Sequence, residues 1–365
     1  MRLIARLKMK EHILLLTYTV ADLKDWLIHN HPKEGLSSMV IAPTRAFAII
    51  NNPFVSGEMK VVSAIFVDNK IVAFTAAFPE ILENPNGRLA WWFTTLWCDH
   101  AYEGRGFGLV VVGTLVEEYG IENCFDADGA PETVSIMQML GLETGYHRKY
   151  VFSEKVIHRE SLKGKLAWCL NRVKKVCHYP HILRCQKSLK HYNYSLVYQQ
   201  YLDEESYSFM KKHSNSDMFF RKLETFNWIL RYPFLQTAPL KEKALGENRF
   251  SSIVEMYHSF VVKVFVMARI VGISLLVVGI NSVSVKYLYY EREYSSAVFS
   301  ALLLHGLKYK ASYFETGDES FAAFIQSFRV FNKVHSREFS FSSPKSFLKS
   351  ISVSTLQLGD GDMFV

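Results

Sequence analysis

The chain has little of what most readily gives a function away. Its five cysteines, Cys98, Cys124, Cys169, Cys177 and Cys185, are an odd number and include no C-x-x-C pair, which argues against a disulfide framework and for reduced thiols in a cytoplasmic protein. No tract of consecutive Lys and Arg accompanies the formal net charge of +7, so no nucleic-acid face is expected. A charge of that size suits a ligand carrying phosphates and otherwise describes a solvated surface. Cys177, His181 and Cys185 have a spacing that would line one helical face, but Pro180 falls between them, and no metal site is expected. Residues 1–16 carry only a short apolar run and no small-residue cleavage site, so no signal peptide is expected. The one long apolar stretch, Phe260 to Ile280, is broken by Lys263 and Arg269. A strand hairpin turning near Ala268-Arg269 suits it better than a membrane span.

What is present is core material in quantity: 365 residues, 49% hydrophobic and 14% aromatic, enough for two or three packed domains. The chain also repeats itself. Lys70-Ile-Val-Ala-Phe-Thr75 matches Arg269-Ile-Val-Gly-Ile-Ser274, and Thr95 to Tyr102 lines up with Tyr287 to Tyr294. Without a gap Phe107 then meets Phe299 and Leu115 meets Leu307. Arg148 to Ser153 meets Arg337 to Ser342, and Pro53-Phe54 meets Pro233-Phe234, all in the same order. Each copy reads as strand, helices, strand hairpin, longer strand, helix, strand, helix and terminal strand, in the first copy from about residue 12 to 153. The expected organisation is α/β (α+β): two tandem domains over 1–155 and 191–345, each a mixed, mostly antiparallel sheet flanked by helices. A basic helical linker over 156–190 joins them, and a tail follows over 346–365.

The first copy carries Leu96-Trp-Cys-Asp-His-Ala-Tyr-Glu-Gly-Arg-Gly-Phe-Gly-Leu109, a strand that breaks at Asp99-His100, passes three alternating glycines and continues as an apolar helix. Gly104, Gly106 and Gly108 let backbone N–H groups converge on an anion, and the helix start adds its free N–H groups and positive dipole end. The spacing is not G-x-G-x-x-G, and the preceding strand is Trp- and Thr-rich rather than a short Val/Ile run, which disfavours a dinucleotide site. In the second copy the three glycines become Ser296, Val298 and Ser300. Only the first copy is therefore expected to hold a phosphate.

Leu96-Trp97-Cys98 followed by Glu103-Gly104-Arg105-Gly106-Phe107-Gly108 resembles motif A of the GNAT acetyltransferase superfamily. Glu103 stands where that family usually has Arg or Gln, with Arg105 nearby to restore positive charge. The resemblance implies that Leu96, Trp97, Cys98 and residues Glu103 to Leu109 bind acetyl-CoA or another acyl-CoA, with no metal. The family's usual Tyr acid maps to Met137. Candidate bases at the cleft mouth are Asp126, Asp99 and Tyr146, with His100, Asp128 and His147 beside them. Trp228 and Arg231, before Pro233-Phe234, resemble a segment of tandem GNAT-like proteins from polysaccharide gene clusters and are candidate acceptor residues; a packed amphipathic helix is the alternative.

The function these features imply is an acyl-CoA-dependent N-acyltransferase. It would move an acetyl group to a small-molecule amine, such as an amino sugar or nucleotide sugar of a cell-surface polysaccharide. The alternatives are a non-catalytic binding or scaffold protein that kept the fold, and a Fem-like aminoacyltransferase, whose two-domain layout the chain shares. The oligomeric state is left open.

Overall fold

The computed structural model describes residues 12–29, 41–84, 87–153, 178–237, 253–254, 256–331, 333–350 and 355–361. The first half runs β1 (Ile13–Thr19), α1 (Val20–His29), α2 (Pro43–Ile50), β2 (Lys60–Val67), β3 (Lys70–Asn84), β4 (Leu89–Cys98), α3 (Phe107–Tyr119), β5 (Cys124–Ala127), α4 (Pro131–Met139) and β6 (Glu143–Ser153). Then come α5, whose described residues are 178–191, β7 (Tyr194–Gln199), α6 (Glu204–His213), β8 (Phe220–Arg221), α7 (Leu223–Arg231), and the short β9 (Gln236–Thr237) and β10 (Ile253–Val254). The second half continues with β11 (His258–Val266), β12 (Arg269–Val278), β13 (Ser282–Tyr290), α8 (Ser295–Lys308), β14 (Tyr313–Thr316), α9 (Glu319–Phe328), β15 (Lys333–Ser343) and α10 (Lys345–Ser350).

Local chemistry fixes several of these boundaries. Pro43 and Pro131 open α2 and α4, where the missing N–H costs nothing. The β2–β3 hairpin turns at Asp68-Asn69, φ 49° and 65°, and the β11–β12 hairpin at Met267-Ala268, φ 49° and 62°. Both are tight two-residue turns whose twist suits the strands. The expected hairpin in 260–280 is therefore present. No helix among the described residues is long and apolar enough to cross a membrane.

The mixed α/β architecture with helices flanking the sheet is the one expected, but the sheet is shared. Its strand order is β1-β2-β3-β4-β5-β15-β6-β14-β13-β12-β11-β7, with β8 on β3. The last strand of each half has crossed into the other: β15 lies between β5 and β6, and β6 between β15 and β14. The cores follow. Phe339 and Phe341 of β15, with Met218, Phe219, Trp228 and Phe234, complete the first half's core, while Phe152 of β6 joins the second's. Cys185 and Leu189 of the basic linker also pack into the second core; Cys169 and Cys177 lie outside the described residues.

A buried charge cluster ties residues 357–361 to both halves. Arg221 Nη2 donates to the carbonyls of Gly359 (3.2 Å) and Gly361 (2.8 Å), and its Nη1 lies 3.3 Å from Glu80 Oε2. Trp92 Nε1 donates to the same Glu80 oxygen at 2.7 Å, and Tyr287 donates to Asp360 at 3.2 Å. Tyr289 (2.6 Å) and Gln357 (3.2 Å) donate to Asp217. One guanidinium thus faces two carboxyl groups, Glu80 and Asp360, with Asp217 hydrogen-bonded nearby, and burial pushes all three carboxyls toward their neutral forms. For Asp217 burial outweighs its two hydrogen bonds and lifts the carboxyl from 3.8 to about 7.

Below pH ~4 Asp217 is protonated in both folded and unfolded chains, and its contribution to stability is fully present. As pH rises from there toward 7 the unfolded chain gives up the proton while the folded one keeps it, so stability is lost across that window. Asp217→Asn removes this titration. Melting temperatures at pH 5 and 7.5 should fall less steeply with pH in the variant than in the native chain; equal slopes would rule Asp217 out as their source.

Candidate functional site

β4 and β5 pair in parallel only at Trp91 with Cys124 and Trp92 with Phe125. Beyond that they part, and β4 runs on to Cys98 with β3 alone beside it. The register against β3 shifts between Phe74 and Ala76, so Thr95 and Leu96 bulge opposite Thr75. Thr95 takes φ 55°, a left-handed conformation costly for a β-branched residue. The Asp99 N–H donates to the Val72 carbonyl at 2.8 Å, so strand alternation turns the Cys98 N–H toward the open edge. Burial, with Glu103 and Asp99 nearby, raises the Cys98 thiol and keeps it neutral.

The parted strands leave a cleft of about 180 Å³, lined on β4 by Phe93, Thr94, Thr95 and Leu96 and opposite by the stretch from Asp126 to Ala130 with Thr133 and Met137. Asp126 is buried on β5, beside Ser342 of β15. The loop after it is held from the other half of the chain. The Asp128 N–H donates to the Ser340 carbonyl (2.8 Å), and the Ser340 hydroxyl donates to the Gly129 carbonyl (3.0 Å). Lys149 Nζ lies 3.3 Å from Asp128 Oδ2.

The glycine loop follows β4. Gly104 and Gly106 have φ 75° and 81°, and a Cβ on either would meet nothing within 4 Å. Only glycine takes these angles freely, and the space above them is open. Phe107, Gly108 and Leu109 form the first turn of α3, whose N–H groups have no acceptor within the helix. Gly108 also lets α3 approach α4, since a Cβ there would lie 2.9 Å from Ile136 Cδ1. Arg105 lies over the Tyr102 ring at 4.7 Å. Glu103 is drawn to His100, with Oε1 2.5 Å from Nδ1. In the second copy the same segment is helical. With Phe299 set against Phe107, α8 starts four residues earlier than α3 and takes in Ser296, Val298 and Ser300. Val298 fills the space over Gly272, where an added Cβ would meet its Cγ2 at 2.4 Å.

The remaining candidates are scattered. Asp99 accepts from the Ala101 N–H (3.0 Å) and pairs with Lys70 (2.7 Å), so it caps the turn after β4. Tyr146 is 62% exposed on β6, one strand removed from the cleft loop through its pairing with Ser340. His147 packs against Phe339 and Phe341, and burial lowers its pKa. Trp228, the candidate acceptor residue, lies in the core and does not line the cleft. Its ring is buried against Phe78 and Phe234, and its Nε1 donates to the Ala48 carbonyl at 2.8 Å, joining α7 to α2. Arg231 lies over Tyr232 on the α7 surface. Thr95, Gly129, Thr133 and Ser340 were not anticipated. None carries a local sequence signal, and Ser340 reaches the loop from a distant strand.

No protein-family model and no curated protein sequence matches the chain. Among solved structures it is similar to a proposed acetyltransferase from Pyrococcus horikoshii, with TM-score 0.50, 10% identity and 98% of each chain covered. It is also similar to a GCN5-related N-acetyltransferase from Kribbella flavida, with TM-score 0.45 and 13% identity over 91% of this chain and 71% of that one. A tandem GNAT protein from the clavulanic acid biosynthesis pathway gives TM-score 0.47 and 9% identity over 91% and 98%. The likeness to the Pyrococcus protein runs end to end, and at such identity it is one of fold.

Trp228→Phe keeps the aromatic bulk but removes the hydrogen bond to Ala48. It should cost about 1–2 kcal/mol in denaturant unfolding; an unchanged stability would show that the hydrogen bond does not tie α7 to α2.

Proposed function

We propose that the chain is an acyl-CoA-dependent N-acyltransferase whose first copy binds the cosubstrate and carries out the reaction. One observation carries the reading: a glycine turn at a helix start follows the strand that forms one wall of a cleft, and in the second copy the same segment is helical. Gly104, Gly106 and the first turn of α3 would hold a pyrophosphate through backbone N–H groups, the helix dipole adding to the attraction. Arg105 supplies a cation on the same loop, and the pairing of Glu103 with His100 draws its carboxylate aside. Acyl-CoA supplies a thioester, whose carbonyl would lie against β4, where the Cys98 N–H faces the open edge.

The acceptor is read as a small amine. Asp126 at the cleft wall would take its proton. An amino sugar of a surface polysaccharide is the acceptor that the family resemblance implies. Trp228 lies in the core and does not support that choice. Acetyl is the acyl group the resemblance implies.

Calorimetric titration with acetyl-CoA should give saturable binding to the native chain. Gly106→Val, which copies the second half's Val298, should lower affinity at least a hundredfold, because valine resists φ 81° and crowds the anion. A native chain that does not bind acetyl-CoA leaves the scaffold alternative standing.

A further inference from the structure

Three threonines line the cleft, Thr94, Thr95 and Thr133. Thr94 Oγ1 accepts from Arg45 Nη1 at 2.8 Å, and Thr95 Oγ1 is shut off from solvent. Thr133 stands half-buried on the cleft face of α4, one turn before Met137, and no group among the described residues engages its hydroxyl. Gly129 brings it up against the neighbouring carboxylate. A Cβ at 129 would lie 2.6 Å from Asp126 Oδ2 and 3.2 Å from Thr133 Cβ and Cγ2. Because that Cβ is missing, the carboxylate and Thr133 share one small space.

The second copy serves as an internal comparison. An ungapped alignment sets Phe125 against Phe314 and Ile136 against Ile325, and pairs Asp126, Gly129 and Thr133 with Glu315, Asp318 and Ala322. Glu315 accepts from Ser284 (2.6 Å) and Tyr313 (2.9 Å), and Asp318 caps α9. Ala322 has no hydroxyl. The half without the glycine turn thus also lacks the glycine and the hydroxyl.

Thr133, Met137 and Asp126 line the same cleft, facing Thr95 and Leu96 of the bulge on β4. Met137 is apolar and offers no proton donor to sulfur.

We propose that Thr133 is a catalytic residue, its hydroxyl donating a hydrogen bond to the thioester sulfur as the leaving thiolate forms; this rests on the acyl-transfer reading above. In that step the amine nitrogen bonds to the acyl carbon and the C–S bond breaks, its electron pair going to sulfur. The surplus amine proton passes to the Asp126 carboxylate. The thiolate, held by Thr133, then takes a proton from solvent. A neutral hydroxyl suffices because a thiol with pKa near 8.5 leaves more readily than an alcohol.

The test compares coenzyme A with desulfo-coenzyme A, which lacks the sulfur, by calorimetry on the full chain at pH 8.5. The native chain and Thr133→Ser should prefer coenzyme A. Thr133→Ala, which copies Ala322, and the isosteric Thr133→Val should lose about fivefold of that preference while binding desulfo-coenzyme A as the native chain does. Native preference retained in the Ala and Val variants overturns the proposal and leaves the acyl-CoA site intact. A native chain that binds neither compound overturns both.

Discussion

The ladder between β6 and β15 is the constraint on which the rest of the molecule depends. It runs unbroken from Ser153 opposite Lys333 to Glu143 opposite Ser343. Strand side chains alternate between faces, so a slip of one residue would carry Phe339 and Phe341 out of the first core and Phe152 out of the second. It would also move Ser340 away from the Asp128 N–H and the Gly129 carbonyl. A single register therefore decides both cores and the far wall of the cleft. Exchange of the closing strands makes each half incomplete without the other.

That sharing gives the second half a physical role although it lacks the glycine turn. Its last strand fixes the loop beside Asp126, and α7 is pinned to α2 through Trp228. Residues 357–361 are drawn in by Arg221, and a Cβ on Gly361 would press against Ala127 in the cleft wall, 2.8 Å away. The second half thus holds the first in shape. At the position of Asp126 it carries Glu315, 3.9 Å from Lys286, both side chains largely buried. Taking one of that pair away would leave the other buried and unbalanced, which is expensive.

Much of this was legible in the sequence wherever the signal is local. The hairpins, the prolines that open α2 and α4 and the glycines before α3 each act within a few residues of where they stand. The repeat was legible because both copies preserve strand and helix periods. Strand exchange was not, because β6 and β15 carry alike patterns and either half could have kept its own closing strand. Trp228 was ambiguous for a related reason: an aromatic beside an arginine suits a ligand face and a packed helix equally well, and its contact with Ala48 comes from a distant part of the chain. Glu80, Arg221, Asp217 and Asp360 gave no sign of meeting, since charged residues are rarely buried and the four are far apart in sequence.

Strain separates the two copies more sharply than composition does. Both carry an irregularity between their second and third long strands, at Phe74/Ala76 and at Leu275/Leu276. Only in the first does the bulge force a β-branched residue to positive φ, at Thr95; none of β13 does so. Such a conformation costs of order 1–3 kcal/mol, and the buried Thr95 hydroxyl without a partner adds to it. Val298 over Gly272 and an α8 lengthened by a turn are what the same fold looks like once such demands are lifted. Packing alone does not require these costs, because the second copy packs without them. They fall on the residues that line the open cleft, and a bound group that uses the bulged backbone would offset them.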